Sequence, residues 1–417
     1  MYLADSFISI AAVDSTEIAK SKADFVCVGK NDELTIQKAI DECQKTKRNL
    51  FFYDGRYYID DFYDFGDGGP KTAICFPNDC REYVVIGQSL RMDKPNGVHI
   101  YVTASALEKC PSDVNANVND PSRNPYDVIR TTWTKYGLGS GSGLVMQNIV
   151  VELSHNRKPI RCIDLRRCDR PDFNKVQCSG CVDMPVGLGK PSREPAVEGC
   201  IGITMTDGSN YGFSNFNNCG ASGFYEAMQV GGEHVVLTNC YTIMNYYGYT
   251  FGNYEISCGA NHPITLINCM DERNVCLPLF NACGDSDKQG VRMQGLQEVS
   301  MVSFNIEHID EQSPGGKTKD RMREVFPGTW RGNIDFTIQP AWNHLNEVDF
   351  KLWESDGSGS GFKCRNIAHK TVCTTAERLS YYPTLNEQIF DTDLNKLVIC
   401  IDPDNKVWVD TLGNRVD

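Results

Sequence analysis

The chain has 417 residues, of which 41% are hydrophobic and 23% are charged, as in a folded globular protein. Its formal net charge of −13 argues against a nucleic-acid partner, whose phosphate backbone it would repel. All apolar runs are shorter than 18 residues, so the sequence predicts no transmembrane helix and no membrane insertion. Residues 1–5 lack the basic and apolar regions of a secretory signal, and we expect synthesis in the cytoplasm without a signal peptide.

The N-terminal 46 residues are expected to form a leader segment that ends in a capping helix. Residues 1–22 suggest a short helix or irregular structure, and residues 25–28 suggest a strand. The apolar residues of segment 35–43 share one helical face: Ile36, Ala39, Ile40 and Cys43. Strands are predicted to follow at residues 49–53, 57–60 and 83–87. A helix in front of such strands can cover the open end of a sheet.

A short apolar run that ends in asparagine recurs through the middle of the chain. The runs end at Asn148, Asn218, Asn239 and Asn268, and a weaker copy ends at Asn305. The last four are separated by 21, 29 and 37 residues. One such strand per coil, repeated in this way, predicts a parallel β-solenoid. The asparagine amides of successive coils are expected to bond to one another or to the turn backbone.

These patterns divide the chain into four parts. After the N-terminal segment (residues 1–46), residues 47–350 are predicted to form the parallel β-helix. Residues 351–378, which include the glycine- and serine-rich run at 356–361, are predicted to be a linker or irregular. Residues 379–417 are predicted to form a small β module. Its alternating apolar residues are expected to surround one tryptophan: Leu397, Ile399, Ile401, Val407 and Val409.

The 19 cysteines allow two interpretations. Most lie inside apolar runs, where cysteine acts as a small buried hydrophobic residue, and a reducing compartment would leave them as free thiols. One group stands apart in a polar, loop-like stretch: Cys162, Cys168, Cys178 and Cys181. Four thiolates can close a structural zinc site, although the spacing of the first pair is longer than usual. The alternative is an insertion that carries thiols without a metal.

Three segments near the N-terminus carry recognisable motifs. They read T-I-Q-K-A-I-D-E-C at 35–43, N-L-F-F-Y-D-G-R-Y-Y-I at 49–59 and Y-V-V-I-G at 83–87. Together they resemble the entry of the pectate-lyase-like right-handed β-helix superfamily, in which a similar helix precedes a P-x-G-x-Y hairpin. Asp54 occupies the proline position here. The resemblance implies an all-β fold, a single-stranded right-handed parallel β-helix.

The C-terminal residues 381–413 carry a second set of motifs. They contain an F-D-T strand at 390–392 and end in W-V-D-x-x-G at 408–413. This segment resembles a short module that ends many phage and prophage tail proteins, although Glu387 stands where those proteins often have glycine. The two resemblances together imply a protein like a phage tail spike. Such a protein would be a homotrimer on a virion tail, or outside the cell after release, acting on a polysaccharide.

A candidate glycan-binding surface follows from the alignment of the coils. Alignment on the terminal asparagines places Glu226, Tyr247 and Cys276 in one column. Strict alternation along each strand then turns Glu226, Tyr247 and Tyr249 outward, next to Tyr246. Aromatic rings stack on the apolar faces of sugars, and a carboxylate bonds to hydroxyls. The alternative is that the tyrosines only cover the barrel or a subunit interface.

Hydrolysis of a glycosidic bond needs two carboxyl groups, about 5 Å apart for retention or about 6.5–9.5 Å apart for inversion. Neighbouring coils lie about 4.8 Å apart, so carboxylates one or two coils apart in a column meet either spacing. The candidate catalytic residues are Glu226, Glu255, Asp285, Asp271 and Glu272, with Glu233 and Asp207 close by. The alternative for each is a solvated acidic turn.

A polysaccharide lyase is the alternative mechanism. β-Elimination needs a base and either an arginine or Ca²⁺ to neutralise the uronate. Residues of the required types are Tyr246, Tyr247, His234 and Arg273 for the base and the cation, and Asp285 and Asp287 for calcium. Trp330 is a further candidate for sugar binding, or else a residue of the core or an interface.

The sequence therefore predicts a polysaccharide depolymerase, with hydrolysis favoured over elimination. A hydrolase of this kind needs no cofactor, while calcium and structural zinc stay open. The alternatives are a non-catalytic tail protein that holds a glycan without cutting it, and a bacterial β-helix enzyme with a phage-like C-terminus. The sugar, the linkage and the stereochemistry are not predicted.

Overall fold

The structure is a computed structural model. It describes residues 6–77, 79, 81–90, 97–112, 125–133, 143–180, 196–205, 214–231, 233–251, 262–272, 279–280, 297–307, 330–339, 362–365, 372–380, 386–403 and 405–416. The helices are α1 (Glu17–Lys22), α2 (Asp32–Thr46), α3 (Ala104–Leu107) and α4 (Thr375–Ser380). The strands are β1 (Phe7–Ala11), β2 (Phe25–Val26), β3 (Asn49–Phe52), β4 (Gly55–Ile59), β5 (Thr72–Phe76), β6 (Glu82–Gly87), β7 (Val98–Val102), β8 (Tyr126–Thr131), β9 (Gly143–Leu153), β10 (Ile160–Asp164), β11 (Asp172–Ser179), β12 (Cys200–Thr204), β13 (Ser214–Asn217), β14 (Gly220–Ser222), β15 (Glu226–Val230), β16 (Glu233–Thr238), β17 (Tyr241–Ile243), β18 (Tyr247–Phe251), β19 (His262–Ile267), β20 (Met270–Glu272), β21 (Leu279–Phe280), β22 (Gln297–Glu307), β23 (Trp330–Gln339), β24 (Phe362–Arg365), β25 (Val372–Cys373), β26 (Gln388–Asp391), β27 (Lys396–Asp402), β28 (Val407–Asp410) and β29 (Arg415–Val416).

The strands from β3 to β21 wind into stacked coils, each with three strand positions. In one coil these positions are occupied by β13, β14 and β15, and in the next by β16, β17 and β18. Every strand pairs in parallel with its counterpart in the following coil, for example Val235 with Ile264 and Ile264 with Val299. The third positions form a seven-stranded sheet from β5 to β21. This pairing confirms the predicted all-β parallel β-helix.

The recurring asparagines form the corner between the first and second strand of a coil. Asn148, Asn218, Asn239 and Asn268 have φ angles of 58°, 53°, 52° and 52°, in the left-handed region. Asparagine tolerates this region better than most residues because its short polar side chain can bond locally. The side-chain amide of Asn268 donates to Oδ1 of Asn239 at 2.7 Å, as the predicted ladder requires.

Two corners differ from the prediction. In the coil after Asn268, the left-handed residue is Ser303, which follows Val302, the partner of Ile267. Asn305 instead lies within the second strand position, where it pairs with Met270. A further coil has its corner at Lys175, with a φ of 56°. The asparagine pattern misses these two corners because serine and lysine occupy the same backbone conformation there.

Buried side chains behind the corners fill the interior of the coils. Cys219, Cys240 and Cys269 each follow a corner asparagine and are at most 1% exposed. The thiol of Cys240 donates to the carbonyl of Phe216 in the coil before, at 3.3 Å. The thirteen cysteines whose side chains the structure describes are all buried, and none of them forms a disulfide. Their burial agrees with the prediction that most cysteines act as small hydrophobic residues.

The N-terminal helix α2 covers the first coils. It packs against β1, β4 and β5, and the four residues of its predicted apolar face are buried in the main core. Residues 7–11 differ from the prediction of a helical or irregular leader, because they form β1, which pairs in parallel with both β2 and β3. Alternation of buried residues over this segment supports a strand. None of the described helices is long and apolar enough to cross a membrane.

The C-terminal residues form a separate five-stranded sheet. Its first strand is β25, and α4 follows β25 along the chain. Regular structure therefore begins inside the segment predicted as a linker. Trp408 is fully buried against Ile389, Val398 and Cys400. The apolar residues predicted to surround the tryptophan lie instead on the opposite face of this sheet, where Leu397 is 38% exposed. Side chains alternate along a strand, so the residues next to Trp408 and Val398 point away from the buried face.

The corner geometry generates the first prediction. Replacement of Asn239 by alanine is expected to lower the free energy of unfolding by about 1–2 kcal/mol, because alanine is strained at positive φ and removes the acceptor for Asn268. Asn239→Gly keeps the backbone conformation accessible and should cost less. Urea-induced unfolding measures both variants. Equal stability of Asn239→Ala and the unmodified protein would contradict the role assigned to the corner.

Candidate functional site

The seven-stranded sheet presents two columns of side chains on its outer surface. In β8, β10, β12, β15 and β18, two inner residues of each strand face the core, and the residues on either side of them face outward. We call the ten outward residues the polar face. The first column is Asp127, Arg161, Ile201, Glu226 and Tyr247. The second column is Arg130, Asp164, Thr204, Gln229 and Thr250.

Opposite charges pair across coils in the N-terminal half of the polar face. Nη1 of Arg161 lies 3.1 Å from Oδ1 of Asp127 and 3.3 Å from Oδ2 of Asp164. Arg166 adds a contact of 2.8 Å to Asp164. Arg130 contacts Asp67, which precedes β5, at 2.6 Å. The side chains of Arg130, Arg161 and Asp127 are completely buried, so this half is a closed ion network.

This network separates the pKa values of its two central carboxyls. Burial and then the neighbouring charge of Asp164 raise the pKa of Asp127 well above its usual range. Burial alone would also raise the pKa of Asp164, but Arg166 and Arg161 lower it below the usual range. A pair separated in this way can serve as acid and base where a substrate reaches it. Here neither carboxyl is more than 1% exposed, which favours a structural role.

The C-terminal half of the polar face contains Glu226, which is half-buried at the start of β15. Its Oε2 accepts hydrogen bonds from Nε2 of Gln229 at 3.0 Å and from Oγ1 of Thr250 at 2.8 Å. Glu226 pairs in register with Tyr247 of the next coil, as the alignment of the sequence predicted. Glu226 is therefore the one acidic residue of the polar face that solvent reaches.

Three tyrosines form an aromatic cluster beside Glu226. Tyr225 and Tyr246 occupy equivalent positions of two coils, and their rings stack at 4.8 Å with an angle of 3°. Tyr247 meets Tyr246 edge-on at 4.8 Å and Tyr225 at 5.8 Å. Tyr225 and Tyr246 are half-buried, and Tyr247 is 9% exposed. This tyrosine cluster places partly exposed aromatic rings next to a carboxylate, a combination suited to a sugar chain.

Two predicted site residues face the interior instead. Tyr249 is completely buried, packs against Phe304 and donates to the carbonyl of Met270 at 3.3 Å. Its predicted outward orientation was wrong because the two outward residues of each of these strands are separated by two inward residues, whereas the prediction assumed strict alternation. Asp271 is 2% exposed and accepts from Oγ1 of Thr242 at 2.6 Å. It lies within β20, not in a turn.

The remaining predicted residues are not brought to Glu226 by any described contact. Glu272 is half-buried at the end of β20, in the second strand position. Glu255, Asp285, Asp287, Asp207, Arg273 and Cys276 lie outside the described residues. Trp330 and Glu233 begin β23 and β16, and the structure describes only their backbone. His234 is exposed, with a φ of 55°.

Two residues of the cysteine group lie in strands and not in a loop, Cys162 in β10 and Cys178 in β11. Cys168 lies between these strands, and all three are at most 2% exposed. Burial raises the pKa of the Cys162 thiol well above its usual range, as does its hydrogen bond with Cys178. Cys181 lies outside the described residues. Among the residues that are described, no group of three His, Cys, Asp or Glu side chains is placed to hold a metal.

Several members of the site are absent from the sequence prediction. Thr250, Gln229 and Tyr225 contact Glu226 or the tyrosine cluster. A signal for them exists, because polar residues flank two inward residues in D-V-I-R at 127–130, R-C-I-D at 161–164 and E-A-M-Q at 226–229. The spacing of three marks the two outward columns. This spacing becomes visible only when the third strands of the coils are aligned with one another, separately from the first strands that end in asparagine.

Comparison with known proteins adds a fold-level similarity. No protein-family model and no curated protein matches the chain. Among solved structures, the chain is similar to tailspike protein 3 of bacteriophage CBA120, with 11% sequence identity over 92% of this chain and 67% of that one. The TM-score is 0.24. The parallel strand pairings themselves define the fold.

The buried ion network generates a prediction for pH dependence. Because the pKa of Asp164 is lower in the folded chain than its unfolded value of about 3.9, its contribution to stability is complete above about pH 5. The contribution decreases progressively as the pH falls below about 4, and it is lost only when the pH passes through the lowered pKa of the folded chain. Asp164→Asn should therefore cost about 3 kcal/mol at pH 7, and this cost should shrink on acidification.

Thermal unfolding of both proteins between pH 7 and pH 3 measures this difference. Asp172→Asn, at an exposed position of β11, is the matched control and should change little. A constant difference across the whole pH range would contradict the assignment of Asp164 as an ionised, arginine-paired carboxylate.

Proposed function

We propose that this protein binds a polysaccharide at Glu226 and the tyrosine cluster and cleaves it by hydrolysis at Glu226. One observation carries the proposal: a solvent-accessible carboxylate lies beside the tyrosine cluster, on neighbouring coils of one sheet. A glycan can contact both coils at once, because equivalent positions of neighbouring coils lie about 4.8 Å apart. The chain's similarity to the motifs of phage tail proteins agrees with this substrate class.

Glu226 supplies one of the two carboxyls that hydrolysis requires. Asp127 and Asp164 of the same face are buried in the ion network, so neither can reach a polymer in this conformation. Glu255 and Asp285 remain our candidates for the second carboxyl. They follow the strands β18 and β21, which continue the sheet beyond Glu226.

Binding without cleavage is the second candidate function. It is favoured by the fact that two of the three carboxyls on the polar face are closed off by arginine. A receptor-binding tail protein needs only the tyrosines and hydrogen-bonding groups. Elimination by a lyase is a third possibility, with Tyr246 or Tyr247 as the base, and it would require a uronic acid in the glycan.

The decisive experiment compares Glu226→Gln with the unmodified protein on a panel of bacterial capsular and plant polysaccharides. We expect reducing ends to be released without absorbance at 235 nm, and we expect the variant to lose at least about 100-fold in turnover. Glycan binding should persist in the variant, since the amide retains the shape of the side chain. Glu198→Gln, at an exposed turn residue, is the control.

Each other outcome identifies an alternative. Absorbance at 235 nm indicates elimination and a lyase. Binding to a polysaccharide that is never cleaved, by either protein, indicates the non-catalytic function and overturns the hydrolase proposal.

The tyrosine cluster generates a separate prediction for binding. Tyr246→Ala should weaken glycan affinity about three- to tenfold, because it removes one ring of the stacked pair and exposes the other to water. Titration calorimetry with a bound polysaccharide fragment measures the change. Tyr53→Ala is the control: Tyr53 is a half-buried tyrosine whose ring contacts Phe51, several coils away from Glu226. This variant should leave the glycan affinity unchanged. Equal loss in both variants would place the glycan elsewhere.

A further inference from the structure

Side chains from three consecutive coils form a hydrogen-bonded network that ends at a single oxygen of Glu226. Gln229 and Thr250 both donate to Oε2, at 3.0 and 2.8 Å. Thr204, in the coil before, donates from Oγ1 to Oε1 of Gln229 at 2.7 Å. The donors therefore form a chain that begins in β12, passes through β15 and is joined from β18.

The Gln229 amide bridges Thr204 and Glu226. Its carbonyl oxygen accepts from Thr204, and its NH₂ group faces Glu226. An NH₂ group can only donate, so Oε2 of Glu226 has to accept this bond. Proton binding at Oε2 would break at least one of the two donated bonds.

The parallel register holds this arrangement in place. Thr204 pairs with Gln229, and Gln229 pairs with Thr250, in successive strands of the sheet. Thr204 and Thr250 are at most 1% exposed, so water competes little for their hydroxyls. Backbone hydrogen bonds thus set the distances among all three groups.

We infer that Thr250 and Gln229 are positioning residues that hold Glu226 as an oriented anion. Hydrogen bonds donated to an ionised carboxylate stabilise that form and fix its rotamer. Within the proposed function, on which this role in turnover rests, Glu226 is then the nucleophile or general base. The proton for the leaving sugar oxygen has to come from the second carboxyl.

The test measures the protonation of Glu226 without any substrate. Carbodiimide coupling to an amine modifies protonated carboxyls, and peptide-resolved mass spectrometry gives the extent of modification of Glu226 between pH 3 and pH 7. In Thr250→Val, we expect the midpoint of this titration to rise by about one pH unit, because one donor to the anion is lost. Thr250→Ser retains the hydroxyl and should return the midpoint to that of the unmodified protein.

A second variant and a control guard against effects of folding. Thr204→Val leaves both donors chemically intact but releases the Gln229 amide, and a smaller rise is expected. Thr131→Val removes a buried hydroxyl from β8, three coils away, and should leave the midpoint unchanged. Thermal unfolding confirms that each variant is folded.

The outcomes separate this inference from the proposed function. If the midpoint rises in Thr250→Val but no polysaccharide is cleaved, the positioning role holds and the hydrolase proposal fails. If a polysaccharide is cleaved, the acidic limb of the rate profile should move with the midpoint, and kcat should fall more than KM changes. An unchanged midpoint in Thr250→Val overturns the positioning role, whatever the activity.

Discussion

Parallel backbone hydrogen bonding between successive coils is the constraint on which the rest of the molecule depends. It pairs each residue with one counterpart in the next coil, as Glu226 pairs with Tyr247 and Thr238 with Ile267. A slip of one residue would send inward side chains outward. The left-handed corner residues keep successive coils in phase, because each starts its second strand at the same point. Columns of side chains follow directly from this register.

The polar face shows how one register can support two kinds of chemistry. In its N-terminal half, arginines and aspartates neutralise one another out of contact with water, and such pairs lose more when one partner is removed than they contribute to net stability. In its C-terminal half, neutral donors surround a carboxylate that solvent reaches. Only the second half has an acidic side chain that solvent reaches. The buried half is better suited to holding the sheet rigid beside it.

Much of the fold was predictable because its strongest requirement is local. A corner at positive φ favours asparagine whatever the surrounding structure, so Asn218, Asn239 and Asn268 mark their corners in the sequence. Where the corner is Ser303 or Lys175, this local signal is absent and the prediction shifts or misses the coil. The helix α2 was predictable for the same reason, since apolar residues recur along it every three or four positions and so share one face.

The site was predictable only in part because it depends on which way each side chain points. Glu226 and Tyr247 share a column, as predicted, since the spacing from the corner is the same in both coils. Tyr249 faces the core because two successive residues of each strand point inward, which a model of strict alternation cannot represent. Gln229 meets Glu226 from the same strand and Thr250 from the next coil, so the pattern that marks them emerges only when the third strands are aligned on one another.

The division between corner and column has a consequence for how such a surface can change. Substitutions at the corner or among inward residues alter the coil and are paid for in stability. The two outward places of the third strand carry Asp127 and Arg130 in one coil and Glu226 and Gln229 in another, with the same backbone pairing. The coil accepts charge pairs, amides and aromatic rings there without changing its register. What the surface binds is therefore determined by the residue types at these two places, while the coil determines only their spacing.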